Sequence, residues 1–187
     1  VAGDEVGSHE AYERHIATAI HHPELIECVN LLREGKLAIA ERQAREFLKQ
    51  HPADVSAIRI LADIGVRVGQ LEDARLLLER CLELAPDFHL ARHNYVVTLI
   101  RQQKLEAAYS EAQKLLALEP DNPSYLVSKG TILVRMGRHA EALEIYERVL
   151  RSYPNQARAQ MNYGHTLKTV GRLDDSIAAY RKCTDLN

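Results

Sequence analysis

The chain has 187 residues, 46% hydrophobic and 27% charged, with 24 basic against 26 acidic side chains and a net charge of −2. That balance argues against attachment to nucleic acid by bulk charge, and no apolar run approaches the roughly 20 residues of a membrane helix. Three cysteines, Cys28, Cys81 and Cys183, form neither a disulfide framework nor a zinc spacing, and such use fits a reducing, cytoplasmic compartment.

In chain order, residues 1–20 stand apart. Val1 to Ala11 lack the basic start and apolar stretch of a secretory signal. Residues 1–8 read as a flexible segment, and Gly7-Ser8-His9 resembles a cloning scar. Ser8 is placed to cap a helix over 9–20 that carries Tyr12, Ile16, Ala19 and Ile20 on one face. From residue 21 onward the sequence repeats. Prolines recur at Pro52, Pro86, Pro120 and Pro154, and glycines at Gly35, Gly69, Gly137 and Gly171 with Gln103 in the gap. Alanines recur at Ala40, Ala74, Ala108 and Ala142, with Ser176 continuing the column, and Leu37, Leu71, Leu105 and Leu173 form a fourth column broken by His139. A shared period of 34 residues in four columns marks a repeat array. Each unit reads as two helices, because Gly stops the first and Pro cannot continue the second. The turn between them is short, so the pair is antiparallel. The units are 21–54, 55–88, 89–122, 123–156 and a truncated 157–187, where the array is expected to run on beyond Asn187. The fold class is therefore all-α, with ten repeat helices and one N-terminal helix.

Gly130, Leu133, Gly137, Ala142, Tyr146 and Pro154 resemble the tetratricopeptide repeat signature, as do Tyr163, Gly164, Leu167, Gly171 and Tyr180 in the next unit. The resemblance extends over all five units. It implies a right-handed α-solenoid whose first helices line a concave groove, and a function in holding other proteins. The signature's aromatic near the start of the first helix is replaced in turn by Glu24, Ile58, Arg92, Leu126 and Gln160.

Catalytic motifs are absent: there is no phosphate-binding glycine loop, no H-E-x-x-H and no G-x-S-x-G. His89 and His93 share a helix face and His21 and His22 are adjacent, but neither pair has a third ligand nearby in sequence. No catalytic residue, metal or cofactor is expected. At the groove positions that the resemblance implies, Arg33, Arg59, Arg67, Arg101, Arg135, Arg158 and Lys168 face one acid, Asp63. Four of these, Arg33, Arg67, Arg101 and Arg135, also stand 34 apart in the last turns of first helices. A cation there complements the helix dipole by about 0.3–1 kcal/mol, so the ladder has a local explanation as well as a binding one. Asn94 and Asn162 are placed to bond an extended peptide backbone, and arginine grips carboxylates with two parallel bonds. The expected partner is thus an acidic or extended segment of another protein, and neither nucleic acid nor membrane. The dicarboxylate clamp of some family members is not matched, since its positions hold Arg59, Asp63, Asn94, Ser124 and Ser128, or His93, Val97, Ser128, Arg158 and Asn162. In the first unit Leu25, Ile26, Val29 and Leu32 occupy these positions, an apolar surface that needs a cover. Segment 9–20, a partner or self-association through this repeat would provide it. An alternative reading comes from the run Asn162 to Arg172, which resembles the last repeats of bacterial proteins whose repeats precede a sulfotransferase domain. The chain would then be the non-catalytic N-terminal region of a larger enzyme, positioning its acceptor.

Overall fold

The computed structural model describes residues 22–185; the helix expected over 9–20 lies outside the described residues. Ten helices and no strand occupy this stretch: α1 (Pro23–Arg33), α2 (Leu37–Gln50), α3 (Val55–Arg67), α4 (Leu71–Leu84), α5 (His89–Arg101), α6 (Leu105–Leu118), α7 (Pro123–Arg135), α8 (His139–Ser152), α9 (Ala157–Thr169) and α10 (Leu173–Asp185). They fall into two compact units, 22–104 and 105–185.

Local chemistry sets the helix ends. The Asp54 side chain accepts from the Ala57 N–H at 2.8 Å, and Asn122 accepts from Ser124 and Tyr125, which satisfies donors that the first turn leaves open. Pro23 and Pro123 stand in first turns, where no N–H is needed. Gly137 closes α7 in the left-handed region at φ 77°, and Arg138 N–H then donates back to the Leu133 carbonyl at 2.8 Å. At the equivalent turn Gln103 adopts φ 60°. A side chain there costs about 1–2 kcal/mol that glycine avoids.

The repeat columns are packing columns. Ala40, Ala74, Ala108 and Ala142 are all fully buried, and Ser176 continues them at 2% exposure with its hydroxyl donating to the Gly164 carbonyl at 2.8 Å. A Cβ at Gly130 would stand 2.6 Å from the Tyr146 ring, so the α7–α8 contact requires its absence. Unit 22–104 is centred on Ile58, Ala74, Leu78, Cys81 and Ala91. Unit 105–185 is centred on Leu126, Ala142, Tyr146, Val149 and Ala159, the same five positions two periods later. No cysteine is bridged among the described residues. Cys81 donates to the Val55 carbonyl and Cys183 to the Ala157 carbonyl, and burial pushes the Cys81 thiol up to about 11.

Candidate functional site

The two kinds of helix differ sharply in charge. The first helices of the pairs, α1, α3, α5, α7 and α9, carry nine cationic side chains and three acidic ones. The second helices, α2, α4, α6, α8 and α10, carry ten cationic and fourteen acidic. On the second helices much of the charge is neutralised locally. Arg45 pairs with Glu41, Lys49 with Glu46, Arg80 with Glu83 and Lys114 with Glu111, each one turn away at 2.6–3.0 Å. Arg75 bonds both Glu72 and Glu79, and its guanidinium holds the Glu72 carboxyl at about 2.

In unit 22–104 the first-helix cations are anchored in different ways. Arg67 Nη1 donates to the Leu32 carbonyl at 2.8 Å, and Arg101 Nη1 donates to the Val66 carbonyl at 2.9 Å. Each carbonyl lies in the last turn of the preceding first helix. A single guanidinium therefore serves the negative ends of two helices. Arg67 also pairs with Asp63 at 3.2 Å. Arg33 is exposed and reaches Asn30 Oδ1 at 3.5 Å. Arg59 is only 3% exposed, and its buried Nε makes no hydrogen bond. Asn94 is half-buried, with its carbonyl accepting from the Thr98 hydroxyl. In the first repeat Leu25 and Leu32 are buried, whereas Ile26 is 46% exposed.

In unit 105–185 Arg135, Arg158 and Lys168 are exposed. Asn162 donates to Thr131 Oγ1 at 3.2 Å, and Thr131 lies 3.4 Å from the Tyr146 hydroxyl. Burial raises the Tyr146 phenol, which stays protonated. The helix-to-helix role of Arg67 and Arg101 had a sequence signal in the 34-residue spacing, since donor and acceptor are 35 residues apart in both cases. The Tyr146–Thr131–Asn162 chain had little, because Asn162 stands two periods after Asn94 but Thr131 belongs to no repeat column.

No helix among the described residues is long and apolar enough to cross a membrane, and no group of three or more potential metal ligands gathers there. A sequence model described as tetratricopeptide repeat matches residues 29–89, 96–157 and 127–185. The chain belongs to the tetratricopeptide repeat family. It is 30% identical over 118 residues to the cytochrome c-type biogenesis protein CycH of Rhizobium meliloti, covering 62% of this chain and 31% of the relative. It is also 30% identical over 139 residues to the TPR repeat-containing protein PA4667 of Pseudomonas aeruginosa, covering 70% of this chain and 22% of that one. The chain thus spans under a third of these relatives. A solved structure of MamA from Desulfovibrio magneticus RS-1 superposes with a TM-score of 0.71 at 14% identity, covering 89% of this chain and 97% of that one, a likeness of fold. As a tetratricopeptide repeat chain, it is a non-catalytic protein-interaction scaffold.

Proposed function

We propose that this scaffold holds an acidic or extended segment of another protein against its first helices, in the cytoplasm. The supporting observation is the segregation of charge: nine cations against three acids on the first helices, in a chain whose second helices are net acidic. Arg33, Arg59, Arg67, Arg101, Arg135, Arg158 and Lys168 supply the field, with Asn94 and Asn162 as backbone partners. Arg158 and Lys168 contribute most directly, since both are exposed and neither is tied to an acid among the described residues. Arg67 and Arg101 contribute charge while their Nη1 atoms remain on backbone carbonyls. No observation in the described residues favours the enzyme-appendage reading.

The test is fluorescence anisotropy with a labelled deca-glutamate peptide. Binding should fall steeply between about 0.05 and about 0.5 M salt, where the screening length shrinks several-fold. Arg158→Gln with Lys168→Gln should weaken it about tenfold, or about 1.4 kcal/mol. Arg45→Gln with Arg80→Gln removes the same charge from second helices and should leave it nearly intact. Equal losses in both pairs, or no binding by the unmutated chain, would defeat this reading.

A further inference from the structure

At Gln160 the repeat departs from its signature. The four preceding units hold Glu24, Ile58, Arg92 and Leu126 at that position. Leu126 is 5% exposed and belongs to the core of its unit. Gln160 is also 5% exposed, but its amide is tied outward: Nε2 donates to the Pro154 carbonyl at 3.2 Å. A glutamine held by the loop does not fill the space that an aromatic ring would occupy. Beside it a cavity of about 650 Å³ opens between α8, the 153–156 turn, α9 and α10.

The walls of this cavity carry a definite chemistry. Leu150, Pro154 and Tyr163 provide apolar surface, and Arg151 and Lys182 stand at its edge. Among the described residues neither cation forms an ion pair, although Arg148, on the same helix as Arg151, is paired with Asp121. The one acid in the lining, Glu147, accepts from the Tyr163 hydroxyl at 2.8 Å. Burial and this bond push the Tyr163 phenol up to about 12, so it remains a donor. Two cations without an ion pair among the described residues, over an apolar floor, fit an anionic side chain with an apolar neighbour.

We propose that this cavity, whose two cations stand on the second helices α8 and α10 and which holds none of the cations of the first-helix reading, is a docking site for a partner-protein segment carrying an acidic side chain beside an apolar one. The ligand carboxylate lies between Arg151 and Lys182, and its apolar neighbour covers Leu150 and Tyr163. Charge complementarity selects this occupant. An oxyanion accepts from both an ammonium and a guanidinium, while a cationic segment would meet Arg151 and Lys182 directly.

The experiment titrates the blocked peptide Ac-Leu-Glu-Leu-Glu-NH2 into isotopically labelled protein and follows amide shifts. Amides of residues 147–163 and 182 should move. Arg151→Glu with Lys182→Glu should weaken this binding about tenfold or more, and the neutral peptide Ac-Leu-Gln-Leu-Gln-NH2 should bind comparably weakly. Gln160→Phe, which restores an aromatic at this signature position, should place a ring in the cavity. It should weaken binding about fivefold without lowering the melting temperature. Arg158→Gln with Lys168→Gln should change this binding less than about twofold, which separates the site from the first-helix reading. The proposal is overturned if the cavity amides stay still, if the neutral peptide binds equally, or if the Arg151/Lys182 pair can be reversed without loss.

Discussion

In the stretch 79–95 Tyr95 donates to Glu79 at 2.7 Å, and in the stretch 147–163 Tyr163 donates to Glu147 at 2.8 Å. Arg92 donates to the Pro86 carbonyl in the first stretch, and Gln160 donates to the Pro154 carbonyl in the second. Leu82 corresponds to Leu150 and Pro86 to Pro154. Against this shared frame, Glu83 and Asp87 give way to Arg151 and Asn155. One stretch is acidic; the other has lost those acids and gained Arg151, which has no ion pair among the described residues. The difference shows that packing positions and exposed charged positions vary independently in this repeat. The frame tolerates a change of sign because the residues that change are exposed, where an ion pair contributes only about 0–1 kcal/mol.

The comparison breaks if the shared frame is not equally rigid in both units. Ala74→Leu and Ala142→Leu each force a large side chain into a fully buried contact, and each should destabilise by about 1–3 kcal/mol. Thermal unfolding followed by circular dichroism checks this, and an unchanged melting curve for either would show that its column is not a close contact. A smaller effect separates the anchoring cations from those proposed for recognition. Arg67→Gln with Arg101→Gln removes two bonds to helix-end carbonyls and should cost about 1 kcal/mol each, whereas Arg158→Gln with Lys168→Gln should leave urea unfolding unchanged. If both pairs behave alike, the distinction drawn from the hydrogen bonds fails.

Two weaker perturbations sharpen the picture. Gln103→Gly restores glycine at φ 60° and should raise the unfolding free energy in urea titration by about 0.5–1 kcal/mol, seen as a higher midpoint, the balance of relieved strain and glycine's larger unfolded-state entropy. A lowered midpoint would mean that Gln103 makes a compensating contact. The smallest effect is acid-dependent. Glu72 titrates at about 2 when folded, chiefly through its hydrogen bond to Arg75, against an ordinary 4.5. A depressed folded value makes its contribution present above about 4.5 and lost as pH falls toward 2. Glu72→Gln should therefore flatten the acid limb of the stability profile by lowering stability slightly at neutral pH, and leave stability near pH 2 almost unaffected. An identical acid limb in the variant would remove Glu72 from that account.

Much of this protein was legible from its residues in order. The proline, glycine and alanine columns announced ten helices in pairs, because helix stops and close contacts are decided within one unit or between adjacent ones, where sequence distance stands in for spatial distance. The excess of cations on the first helices was legible for the same reason. Only the tertiary structure showed that Arg67 and Arg101 hold carbonyls of the preceding first helix, that Arg59 lies buried with its Nε unbonded, and that Asn162 turns to Thr131. It also decided that Gln160 is drawn to the Pro154 carbonyl and leaves a cavity beside Arg151 and Lys182. Those facts depend on which of several partners a long polar side chain reaches through space. A repeat period places the backbone at such a position, but the end of the side chain goes where a neighbouring carbonyl, hydroxyl or void happens to be.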